Sequence, residues 1–216
     1  MKAIWQFRSF VAVTAIVVGV FALSDLAAEF VRATPTESTA ARRPSSDLLS
    51  QSERAASIAP FRSDLKSEYA LAQAAQTLDS NGKNDVNEVD RQLKEALVLA
   101  PHDSRMWLAL AMLEARAKAA PRRIAEALRM SYLTGQNRAE LIPRRLLSVT
   151  SDNSLSDPEL GELARGDVRA ILARLQDQRP LLASTYASAS VIGKAFLQDS
   201  VTAIDPTALD LLNSKK

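Results

Sequence analysis

From Phe61 onward, apolar residues return every three or four positions, and no stretch alternates for long between apolar and polar. That spacing places them on one side of a helix, whereas a half-buried strand needs a period of two. β-branched residues are scattered and Gly numbers only 6, which disfavours strands joined by tight hairpins. The expected fold is therefore all-α, an antiparallel stack or bundle of roughly six to eight helices. Hydrophobic residues make up 47% of the 216 and charged residues 24%, values that allow a buried core.

The pattern predicts helices over about 63–78, 86–99, 104–119, 121–134, 138–149 and 157–175. Two more are expected to open at Pro180 and at Ser188 or Ser190, with at best a short tail helix over 206–213. Asp103 or Ser104 is a cap, and Pro121 suits a first turn, where its missing N–H costs nothing. Pro143 is expected to bend its helix. The segment 104–119 carries Trp107, Leu110 and Ala111 on one side, with Glu114 among them, and Leu108, Met112 and Ala115 on another. A helix apolar on two sides should have neighbours on both.

The N-terminus obeys different rules. Lys2 and Arg8 precede the first acid, Asp25, and residues 10–23 are apolar except for Thr14. A positive flank before an apolar run is an export pattern, with the flank cytoplasmic and the remainder translocated. As a cleaved signal, 14 helical residues rise about 21 Å against a hydrocarbon core of about 30 Å, and Ala22 and Ser24 are small at peptidase spacing. As a retained anchor, the span extends back to Ile4 and forward to Val31. The segment is read as a single-pass anchor in a bacterial inner membrane, with a periplasmic domain; a soluble periplasmic or secreted form after cleavage is the alternative. Arg outnumbers Lys by 19 to 8, as in a GC-rich bacterial genome. Residues 32–60, rich in Ser, Thr, Pro, Arg and Ala, read as a flexible linker, and Arg42-Arg43 lies too far in for a twin-arginine signal.

One stretch resembles a known family. Glu95-Ala96-Leu97 recurs as Glu126-Ala127-Leu128, 31 residues on. In EALVLAPHDSRMWLALAMLEA, Ala96 stands at a small packing position and Pro101 at a terminating proline, while Trp107, Leu110 and Ala111 open the next unit. This resembles the joint between two tetratricopeptide repeats, whose period is about 34 residues. The resemblance covers about 62–137 and implies helical hairpins that stack to present a binding surface. The organisation expected is an export or anchor segment over 1–31, a linker over 32–60, repeat-like hairpins over 61–137, a helical extension over 138–204 and a tail over 205–216.

The composition narrows the chemistry. With Cys 0 and His 1, thiolate and imidazole metal sites and a Cys nucleophile are excluded. His102 lies in an inter-helix loop, as an exposed residue would. Counted from Asp79, Gly82 falls at position four and not six of a calcium loop and Asp90 stands at twelve where Glu is wanted, and the Gly residues form no phosphate loop. Glu159 and Glu162 fall on the solvent side of their helix. No catalytic residue, cofactor or metal is assigned. Beyond Lys2 and Arg8 the charges balance at 25 of each sign, which argues against nucleic-acid binding. Within that balance, residues 105–145 carry nine basic against three acidic residues, and 151–168 five acidic against one basic. The function expected is a tethered interaction module, not an enzyme. It would hold a partner protein or an anionic envelope polymer through Arg116, Arg122, Arg123, Arg129, Arg144 and Arg145. The competing expectation for that surface is that the two charged regions pair internally or are both left solvated. A carboxylate-only enzyme of envelope polymers and a structural subunit of an envelope complex are the alternative functions.

Overall fold

A computed structural model describes residues 2–32, 46–80, 85–151 and 153–213, and among them every regular element is a helix. The elements are α1 (Lys2–Val31), α2 (Ser46–Ile58), α3 (Ser63–Asp79), α4 (Val86–Leu99), α5 (Ser104–Arg116) and α6 (Pro121–Thr134). They continue with α7 (Ile142–Ser151), α8 (Pro158–Ala173), α9 (Arg179–Ser188), α10 (Val191–Ile204) and α11 (Asp210–Asn213).

Local chemistry explains the helix starts. Asp85, Asp103 and Asp157 accept backbone N–H groups at the heads of α4, α5 and α8, and Ser190 accepts Gly193 N–H at the head of α10. Each satisfies donors that a helix leaves orphaned. Pro121, Pro158 and Pro180 occupy first turns. Pro143 does the same in α7, which starts at Ile142 behind a 3-10 turn over Ala139–Leu141. The helix begins at Ile142 and not near 138, so Pro143 stands in a first turn and not in a helix interior, where it would have cost a backbone hydrogen bond.

α5 is the central helix. Leu108, Leu110, Ala111 and Leu113 are all buried, and α3, α4, α6 and α7 pack around it. Its pairing with α6 is antiparallel: Arg123 at the start of α6 meets Glu114 near the end of α5, and Ser131 near the end of α6 donates to the Ser104 carbonyl. Lys118, in the turn between them, has φ 53°, the left-handed conformation that closes a helix end. The main core runs from Ala70 in α3 to Leu212 in α11, with Leu93, Met106, Leu128, Leu146, Ile171 and Leu197 sealed within it.

A smaller second core lies at the other end. Ala28 of α1, Ala55 and Ala56 of α2, Ala59 in the following turn and Leu65 of α3 are buried together, with Tyr69 packed against them. The expected linker 32–60 is thus helical from Ser46 and docked on its neighbours; residues 33–45, including Arg42 and Arg43, lie outside those described. Phe7–Val31 within α1 is long and apolar enough to cross a membrane or to act as a signal, and none of its most apolar window is buried.

Candidate functional site

Two concavities flank α6. The larger, about 420 Å³, lies across α4, α5 and α6. Trp107, Leu110, Ala127 and Met130 supply its apolar lining, and Lys94, Arg123, Glu126 and Arg129 its charged rim. The smaller, about 320 Å³, opens on the other side of α6, where Arg122, Glu126 and Arg129 face Ser154, Ser156 and Asp157.

Trp107 is held in place by its indole N–H, which donates to the Pro101 carbonyl at 2.8 Å, so the α4–α5 turn and the groove wall are one unit. Glu114 sits at the bottom of the larger groove with a side chain only 6% exposed. Arg123 donates to its Oε1 at 2.6 Å and Lys94 Nζ stands 3.5 Å away, while Oε2 has no hydrogen-bond partner. A carboxylate this buried needs such cations, because desolvation penalises a lone charge. Oε2 is itself sealed from solvent, so the two cations at Oε1 carry the whole compensation for burying this carboxylate.

The six arginines expected to form one basic surface have separate fates. Arg122 is well exposed and, among the described residues, pairs only with Glu126 on its own helix, at 3.0 Å. Arg123 is tied to Glu114, and Arg129 bridges to Glu159 at 3.1 Å and Asp157 at 3.8 Å. Arg116 donates to the carbonyls of Leu78 and Ser80, closing the C-terminal end of α3. Arg144 is exposed on α7 and makes no ion pair with a described residue. Arg145 is fully buried and cannot touch a partner. The opposite charges of 105–145 and 151–168 do meet, through Arg129, which removes part of the basic excess.

Arg145 belongs to a polar cluster in the core. Its guanidinium donates to Ser131 Oγ at 3.0 Å, to the Gly135 carbonyl at 2.9 Å and to the Ser131 carbonyl, and lies 4.7 Å from the centre of the Tyr132 ring. Burial lowers its pKa, and the charge of Asp167 opposes that shift. Burial pushes the Asp167 carboxyl up to about 6, against the Tyr132 hydroxyl and the Arg145 charge. The same burial drives the Tyr132 phenol well above its ordinary range. Neither Asp167 nor Tyr132 lines either concavity.

Of the groove lining only Arg123 and Arg129 were among the contacts expected from the sequence; Lys94, Trp107, Glu114 and Glu126 are among those it did not single out. A signal for Glu114 existed, since it is a lone acid on an otherwise apolar face of α5. His102 is exposed in the α4–α5 turn, Glu159 and Glu162 are exposed on α8, and of the oxygen-rich segment near 79–88 residues 81–84 lie outside those described. No known protein family, curated protein or solved structure matches the chain.

Proposed function

We propose that this chain is an extracytoplasmic adaptor, anchored by α1 in a bacterial inner membrane with its N-terminus cytoplasmic, which holds a segment of a partner protein in the groove across α4–α6. The groove itself carries the reading. Its floor of Trp107, Leu110 and Met130 gives apolar area, and its rim presents both signs of charge, Lys94, Arg123 and Arg129 beside Glu126. Such a lining suits a peptide with apolar anchors and acidic flanks. An anionic polymer is less suited, because Arg123 and Arg129 are already paired and two carboxylates line the same groove. The antiparallel α5–α6 pair, following the α3–α4 pair, supports reading this half as repeat-like hairpins that present one surface.

A carboxylate-only enzyme needs an accessible acid poised to donate a proton. Asp167, whose pKa burial raises to about 6, is sealed away from both concavities, and Glu114 is engaged as a salt-bridge partner. Those placements favour a binding role.

The test is photo-crosslinking in intact cells from Met130, half-buried in the groove, and from Val191, exposed on α10. The expected result is one discrete adduct from position 130 that is absent at 191 and weakened by Lys94→Glu. Identical patterns at both positions, or no adduct at 130, would overturn the groove. Retention of the protein in carbonate-washed membranes is the expected outcome for the anchor, and its release would remove it.

A further inference from the structure

The turn between α2 and α3 is attached to α1 at two levels. Within the apolar stretch, the Phe21 and Phe61 rings lie 6.2 Å apart, inclined at 44°. Just beyond that stretch stands a set of charges: Arg62 donates to Glu29 at 3.0 Å and to Asp64 at 2.6 Å, and Arg32 pairs with Glu68. Between the two levels, Ala28 packs on Ala55, Ala56 and Ala59, whose small side chains let the helices approach closely. The turn therefore cannot swing freely about α1.

The turn is also apolar where it should be wet. Phe61 is 77% exposed, and Pro60 and Ile58 are exposed beside it. Phe21 stands four residues before Asp25, the first acid, so it lies about 6 Å inside the charged boundary along the helix axis. Phe61, whose ring centre lies 6.2 Å from that of Phe21, stands near that depth. Aromatic rings are favoured at the outer edge of a bilayer, where the ring leaves water without reaching the hydrocarbon centre.

We propose that residues 58–61 form a second membrane-contact site, which seats Phe61 in the outer interface of the bilayer that α1 crosses. This rests on the anchor reading above. The occupant is phospholipid, because the exposed side of Phe61 is continuous with the exposed apolar surface of α1, including Phe21, and the ring of Glu29, Arg32, Arg62, Asp64 and Glu68 marks where water begins. Two attachment points fix the tilt of the domain against the membrane, so the groove across α4–α6 faces a constant direction.

The chain has no Cys, so single-cysteine variants label cleanly. Full-length V13C, F61C, I58C and A117C, each carrying an environment-sensitive fluorophore, are placed in phosphatidylethanolamine–phosphatidylglycerol vesicles. Ala117 is the exposed control at the far end of α5. Lipids spin-labelled near the headgroup should quench positions 61 and 58, with a blue shift in emission, while lipids labelled deep in the chain quench position 13 and neither quenches 117. Quenching at 13 with positions 61 and 58 behaving like 117 overturns this site and leaves the anchor standing. No quenching at 13 overturns the anchor and this site together.

Discussion

Arg145 carries a charge into the core where α6, α7 and α8 meet, and it is tolerated because each of its three guanidinium nitrogens donates to an acceptor and the group lies near the Tyr132 ring. A surface arginine and this one are the same letter, and adjacent Arg144 is the surface one. Helical spacing places the pair 100° apart, but which of the two faces inward depends on where α6 and α8 lie. Asp167 makes the same point with a consequence for pH. Its carboxyl has a folded pKa near 6 against an ordinary value of 3.8, so the native state binds more protons between those limits. Stability from this group is present below about pH 4 and is lost as pH rises through 6, by about 3 kcal/mol at the limit. The Asp167→Asn variant should show a flatter dependence of unfolding free energy on pH between 4 and 7 in urea titrations. A slope equal to that of the parent protein would show that Asp167 is ionised without penalty.

At the scale of elements, most helix starts were legible because their chemistry is local, although α7 opens at Ile142 and not near 138, and α5 stops at Arg116, short of 119. Asp85, Asp103, Asp157 and Ser190 cap the helices they precede, and the prolines stand in first turns. α2 was not legible. Its packing residues Ala55 and Ala56, with Ala59 beyond, are small and weakly apolar, so among Ser, Gln and Arg they give no strong period. They are buried only because α1 and α3 lie against them. The junction of α7 and α10 depends on a different kind of smallness. Ser190 donates both its N–H and its hydroxyl to the Thr150 carbonyl, and the backbone of Gly193 lies so close that a Cβ there would stand 2.1 Å from the same oxygen. That oxygen belongs to the backbone and cannot rotate away. Gly193→Ala should therefore destabilise the protein by about 2 kcal/mol or more, seen as a lower midpoint in thermal unfolding. Gly166→Ala, inside α8 with nothing near its Cβ position, is the comparison and should stabilise by up to about 1 kcal/mol.

For the molecule as a whole, the two cores make two units of unequal strength. The main core spans α3 to α11, while the second is built mostly from alanines, which bury little area each. A chain lacking residues 1–32 loses Ala28 and the Arg32 and Glu29 ion pairs, and α2 is left packed on one side only. Amide hydrogen exchange should then be fast throughout α2 and unchanged in α5 and α6. Protection of α2 equal to that in the full chain would show that α3 alone suffices to hold it. The same division shapes function, since in the proposed reading the weak unit orients the molecule at the membrane and the strong unit carries the groove.

Helix content, helix ends and the apolar N-terminal stretch follow from residues within one or two turns of each other, and so they can be read along the chain. The partners of Arg129, the burial of Arg145 and Asp167, and the place of Glu114 at the floor of a groove join residues far apart in the chain. Charge and burial are properties of a surrounding volume, and that volume exists only once the helices have packed.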